Sequence, residues 1–235
     1  MATAKDIRVA PIRSDDARRF VERWHYSGGT VNNSQVHLGA FMDARLVGVM
    51  LLGPPMDRGH VLPLVRGTRW HDMIELNRMA MIDATPKNTE SRFISVGVRL
   101  LKRAYPNLEW ILSFSDGTQC GDGTIYRASG FLLTGIKSNK TLMQVGNVIF
   151  TDISFRCAPE VRRKVLEACG ITNWPSKNIT GLPNVRSLPG FQLRYILPLK
   201  PGVRERLTVP VLPFSDIDKA GARMYLGKAK GSADA

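Results

Sequence analysis

The chain has 235 residues, 43% of them hydrophobic, which suits one substantial core or one core with appendages. No apolar run approaches the roughly 20 residues of a membrane span, and the charged start "MATAKDIRVAPIRSDDARRF" lacks a signal peptide's apolar centre, so a soluble protein of the cytoplasm is expected. Lys and Arg number 33 against 20 Asp and Glu, a formal net charge of +13, so a polyanion is the expected partner, because neutralised phosphates release counterions; a merely basic soluble protein and a membrane-surface binder are the alternatives.

The first predicted element is a short strand in "DIRVAPI", followed by a helix in "SDDARRFVERWHY" with Ser14 as its cap and a stop at "SGG". "VHLGAFMDARLVGVMLLG" reads as two strands around the turn "MDAR", hydrophobic enough for burial on both faces. A Pro- and Gly-rich connection from Gly53 to about Asp72 leads to the strand "MIELNRMAMI". In "DATPKNTESRFISVGVRLLKRAYPN" the positions Phe93, Ile94, Gly97, Leu100, Leu101 and Ala104 recur at helical spacing. "LEWILSFSD" is a strand, "GTIYRASGF" a short helix closed by Gly130, and "LLTGI" a returning strand. This order predicts an α/β fold with a mixed central sheet flanked by helices over residues 1–150. Residues 151–235 read as a C-terminal extension with one helix in "APEVRRKVLEACG", an alternating strand around Phe191, Leu193 and Tyr195, and a basic tail.

Cys120, Cys157 and Cys169 cannot pair completely and show no C-x-x-C spacing, so neither a disulfide framework nor a structural zinc site is indicated. Asp116 ends a strand, where open α/β sheets place ligands, but it could equally cap the following helix. Tyr126 reads as an ordinary core aromatic or a site phenol. His25 ends the first helix, where the dipole favours an imidazolium. Arg78 should share a face with Leu76 and Ala80, and needs an anion from Glu75, from Asp83 or from a ligand. Asn88, Thr89, Ser91 and Arg92 crowd a helix start that can receive an anion; the alternative is that Asn88 or Thr89 does no more than cap it.

The segments "WHYS", "ELNRMAMI", "PKNTESRFI", "FSDG", "GTIYRASGF", "LPGFQLRYI" and "DIDKAGARMY" stand in an order that resembles the bacteriophage Mom family of adenine-modification proteins, from about Trp24 to Tyr225. The resemblance implies a fold related to the GNAT-type N-acetyltransferases and the addition of a carbamoylmethyl group to N6 of adenine in double-stranded phage DNA, protecting it from host restriction. It also implies iron held by His25, Asp116 and Tyr126, with Arg78 and Ser91 holding the donor or orienting the adenine. Acetyl-CoA or another small molecule would be the donor, with Ser91, Arg92 and Asn88 around it. The connection "DATPKN" departs from the acetyltransferase pattern, having none of the glycines that let backbone approach a pyrophosphate. N6 chemistry implies a flipped adenine, and Arg66, Arg69, Arg92, Lys137 and Lys140 are candidates for tracking phosphates. The alternatives are an acyl-CoA-dependent N-acetyltransferase acting on a protein or small amine, and a basic DNA-binding protein without catalysis.

Overall fold

A computed structural model describes residues 3–25, 32–117, 121–225 and 228–229. The expected helix stop at "SGG", Cys120 and the last residues of the tail lie outside them. In chain order, β1 (Arg8–Pro11) and α1 (Ser14–Trp24) precede the hairpin β2 (Val36–Met42) and β3 (Arg45–Gly53). A short α2 (Arg58–Val61) leads to β4 (Met73–Met81), α3 (Thr89–Ala104), β5 (Trp110–Asp116), α4 (Thr124–Ala128) and β6 (Leu132–Ser138). Then come β7 (Leu142–Val145), β8 (Val148–Thr151), α5 (Asp152–Cys157), α6 (Pro159–Ala168) and β9 (Arg186–Ser187). The chain closes with β10 (Phe191–Pro198), α7 (Ser215–Lys219), β11 (Met224–Tyr225) and β12 (Lys228–Ala229).

Seven strands form one mixed sheet in the order β1-β2-β3-β4-β5-β10-β6. The β2–β3 hairpin turns at "MDAR" as expected, with Asp43 and Ala44 at φ 47° and 63°, the paired left-handed geometry of a tight hairpin turn. β3 is buried from Val47 onward, which explains its near-continuous apolar run. β4 pairs with β5 in parallel, from Met73 opposite Trp110 to Leu76 opposite Ser113. Against β3 the register of β4 slips at Asn77: Leu51 pairs with Arg78 but Leu52 pairs with Leu76. This bulge breaks the strict alternation expected around Arg78. Leu76, Asn77 and Ala80 are buried whereas Arg78 is only half-buried.

Two compact units are present, the first comprising residues 1–114, 123–135 and 194–214 and the second residues 115–122, 136–193 and 215–235. In the first, the Pro- and Gly-rich connection folds Val61, Leu64 and Val65 onto Trp110, whose buried ring donates Nε1–H to the Thr68 hydroxyl at 3.1 Å. α3 lies against the hairpin: a Cβ on Gly97 would come within 3.3 Å of Leu38 and Met50, so only a small residue fits this crossing. Ser14 is the first helical residue of α1. Arg13 holds the cap position and makes no side-chain cap bond, so the expected serine cap does not form.

The second unit has its own core. Phe155, Val165, Val145 and Phe150 pack between α5, α6 and a three-stranded sheet ordered β8-β7-β9. The Arg162 guanidinium lies 4.9 Å over the Phe155 ring and donates to the carbonyls of Trp174 and Ser176, fixing the loop after α6. No helix among the described residues is long and apolar enough to cross a membrane.

Candidate functional site

α3 divides its sequence between two faces. Phe93, Ile94, Gly97 and Leu101 are buried, while Arg92, Ser95, Arg99 and Lys102 follow the opposite 3.6-residue stripe. That stripe, with Lys5 from the short helix Ala4–Asp6 and Asn88 and Ser91 from the helix start, lines a cavity of about 750 Å³. Four cations line it without a carboxylate, and among the described residues none of the four is in an ion pair. The Nε of Arg92 is buried with no hydrogen-bond partner, an arrangement that an anion would relieve. Of this set, sequence reasoning found Asn88, Ser91 and Arg92. It missed Lys5, Ser95, Arg99 and Lys102, whose spacing in "SRFISVGVRLLK" was the available signal.

Asn88 occupies the N-cap position in the left-handed region, φ 70°, yet its side chain makes no cap bond. Its carbonyl accepts from the Ser91 hydroxyl at 3.1 Å, and the Thr89 hydroxyl turns back to the carbonyl of Pro86 at 2.6 Å. A smaller cavity of about 370 Å³ shares Asn88 and Ser91 and reaches the end of β4 and α4. It contains Asp83 and Glu90; burial, reinforced by Asp83, raises the Glu90 pKa above its ordinary value.

A second polar cluster surrounds the β4 bulge. The Ser34 hydroxyl donates to Asn77 Oδ1 at 3.1 Å, and Arg78 donates to the Asn77 carbonyl at 2.7 Å. Burial lifts the Glu75 carboxyl to about 7, against the opposing pull of a hydrogen bond from Asn77 and the charge of Arg78. His25, where the chain leaves α1, is depressed to about 4, chiefly by burial and then by the Arg78 cation. The imidazolium expected from the helix dipole is therefore not the resting form: desolvation outweighs the dipole, and the ring is neutral at pH 7.

Asp116 belongs to the second unit, half-buried at the end of β5, followed by Gly117, whose N–H donates to the Phe191 carbonyl at 2.7 Å. It is not the cap of α4, because Gly123 holds that position. Tyr126, in the first unit, is 8% exposed and packs against Tyr195 and Phe131 with ring centroids 5.1 and 5.3 Å away. Gly123 makes this packing possible. It has φ 70°, and a Cβ there would meet the Tyr195 ring at 2.7 Å. Gly123→Ala is expected to destabilise the protein by about 2–4 kcal/mol, from left-handed strain plus overpacking. Urea unfolding would measure the loss, and an unchanged midpoint would contradict this account of the glycine.

The structure thus brings His25 within electrostatic reach of Arg78, gathers Asn88, Ser91 and Arg92 on the larger cavity, and packs Tyr126 among aromatics of the first unit. Among the described residues no group of three or more His, Cys, Asp or Glu side chains is placed to hold a metal ion. Of the three residues named for iron, His25 and Tyr126 belong to the first unit and Asp116 to the second. The donor set suits iron chemically, since it offers an imidazole already held neutral, a carboxylate and a phenol.

Among solved structures, the chain is similar to an acetyltransferase of Bacillus subtilis in complex with CoA, with 12% identity and a TM-score of 0.45, covering 83% of this chain and 98% of that one. It is also similar to the ribosomal-protein-S18-alanine N-acetyltransferase of Escherichia coli, with 9% identity and a TM-score of 0.46, covering 83% and 94%. A curated relative, the methylcarbamoylase mom of Escherichia phage Mu, is 39% identical over 133 residues, which are 56% of this chain and 55% of the relative. The match thus spans about half the length of that relative. The family model covers far more: it matches residues 6–216, a stretch that contains the β4 bulge, α3 and the strand end at Asp116, and by that match the chain belongs to the Mom protein family.

Proposed function

We propose that the protein modifies DNA, adding a carbamoylmethyl group to N6 of adenine in the duplex and so protecting phage DNA from host restriction. The observation that carries this reading is the family match over residues 6–216, which includes His25, Arg78, Asn88, Ser91, Arg92, Asp116 and Tyr126. The name of the phage Mu relative supplies the reaction class.

The product joins nitrogen to a saturated carbon. Bond formation removes one proton from N6, and the carbon arrives either with a leaving group that departs with the bonding pair or with a C–H bond whose hydrogen leaves as a proton while two electrons pass to an external oxidant. Glu75 suits the proton's removal: its carboxyl titrates near 7 beside the Asn77 bulge, so it can accept a proton close to neutral pH. Arg78 stands close enough to bias both Glu75 and His25 electrostatically. The α3 cavity, with its unpaired Arg92 Nε, would seat an anionic donor, for which acetyl-CoA is one candidate.

Iron would be held by His25, Asp116 and Tyr126 and would supply redox capacity when bound. His25 contributes a lone pair without first losing a proton. Purified protein is expected to contain iron by elemental analysis, and His25→Ala and Asp116→Ala to lose most of it. Full iron content in both folded variants would overturn the ligand assignment.

A further inference from the structure

The second unit segregates its charge. Its helical side is neutralised internally: Asp152 pairs with Arg156 at 2.5 Å, and Arg163 bridges Glu160 and Glu167 at 2.6 and 2.5 Å. Asp216 pairs with Lys219, while Asp122 and Asp218 both meet Arg223. The sheet side differs. No Asp or Glu occurs between Asp122 and Asp152, nor between Glu167 and Glu205, and these two acid-free stretches supply β7, β8 and β9. Lys137, Lys140 and Arg186 are exposed, and among the described residues none has a carboxylate partner.

The backbone places these cations together. The Asn139 N–H donates to the Gly190 carbonyl and the Leu188 N–H to the Leu142 carbonyl, each at 2.7 Å, so the segments 139–144 and 186–190 run side by side. The Ser187 hydroxyl holds the Lys140 carbonyl at 2.9 Å. Arg186 faces Gln144 across the ladder and donates to its Oε1 at 2.9 Å, which presents a guanidinium and an amide together. Lys137 lies on β6, Lys140 in the connection from β6 to β7, and Arg186 on the edge strand β9 beside β7, so the cations follow one stretch of chain and the segment paired with it, as contacts to successive phosphates would need.

We infer that the β6–β7 connection and the adjoining β9 edge of the three-stranded sheet form the surface that docks duplex DNA, with Lys137, Lys140 and Arg186 on backbone phosphates. This rests on the reading of the protein as a DNA-modifying enzyme. The α3 cations are the competing surface, but they line a cavity of about 750 Å³, a size suited to a small ligand and not to a duplex. The second unit instead offers exposed cations without carboxylate partners along and beside the paired segments 139–144 and 186–190. Charge complementarity therefore favours a polymer of phosphates there.

The test is fluorescence anisotropy of the full chain with a labelled duplex across a range of salt concentrations. Lys137→Glu/Lys140→Glu/Arg186→Glu is expected to weaken binding at least about tenfold and to flatten the slope of log affinity against log salt by about 3, one phosphate contact per residue. The milder Lys137→Gln/Lys140→Gln/Arg186→Gln should flatten it similarly with less loss of affinity. Arg99→Glu/Lys102→Glu should leave both within about twofold and with an unchanged slope. Wild-type binding with an unaltered slope in both sheet variants, or a loss confined to the α3 variant, would overturn the inference while leaving the proposed function standing. A wild-type protein without salt-dependent duplex binding would overturn that function and this surface together.

Discussion

Asp116→Ala is expected to lower adenine modification about a thousandfold, within the range found when a positioned catalytic group is removed. The residue ends β5, and the structure removes its blandest explanation, since Gly123 caps α4 in its place. The proposed role is a ligand or a charge at the reacting centre, from a half-buried strand end within the matched family segment. Asp116→Asn separates charge from shape, because it retains the side-chain outline and loses the anion. Protection of a co-expressed plasmid against an adenine-sensitive nuclease reads out both variants. Full protection with Asp116→Asn would show that the negative charge is dispensable.

Glu75→Gln is expected to stabilise the protein at pH 8 and to impair it as a catalyst. The carboxyl titrates near 7 in the folded protein against its ordinary value of 4.5. Between these values the folded state retains a proton that the unfolded chain has released. Stability therefore falls as the pH rises through this window, and the loss is complete above about 7. The gap corresponds to roughly 3 kcal/mol, and screening at a half-buried site reduces it to about 2 kcal/mol. Glutamine can keep the contact with Asn77 and carries no charge to desolvate. Modification by the wild type should rise with pH through about 7 as Glu75 ionises beside Arg78, with His25 neutral throughout. A variant less stable than the wild type at pH 8 would show that the attraction of the Arg78 charge outweighs desolvation.

The legible parts of the fold were those with long, clean periodicity. β4, α3 and β5 run for 9, 16 and 7 residues, and the turns at "MDAR" and Gly130 carry backbone geometry that these residues or their neighbours tolerate. The small sheet was not legible, because β9 is two residues long and β7 and β8 are four each. Segments that short acquire strand character only from their partners. The bulge at Asn77 was hidden for a related reason, since it is a register shift between two strands and no single strand encodes it. The lowered pKa of His25 was not legible, because burial and the nearness of Arg78 are tertiary facts. The stripe of Arg92, Arg99 and Lys102 stood in the sequence throughout. A charged helix face is ordinarily solvated, and only the cavity beside it and the partnerless Arg92 Nε distinguish this one.

The proposed reaction is read out by mass spectrometry of nucleosides from plasmid DNA, recovered from bacteria expressing the wild-type chain and from bacteria lacking it. A deoxyadenosine heavier by one carbamoylmethyl group, present only with the protein, is the expected result. Unmodified deoxyadenosine in the presence of soluble, duplex-binding protein would contradict it.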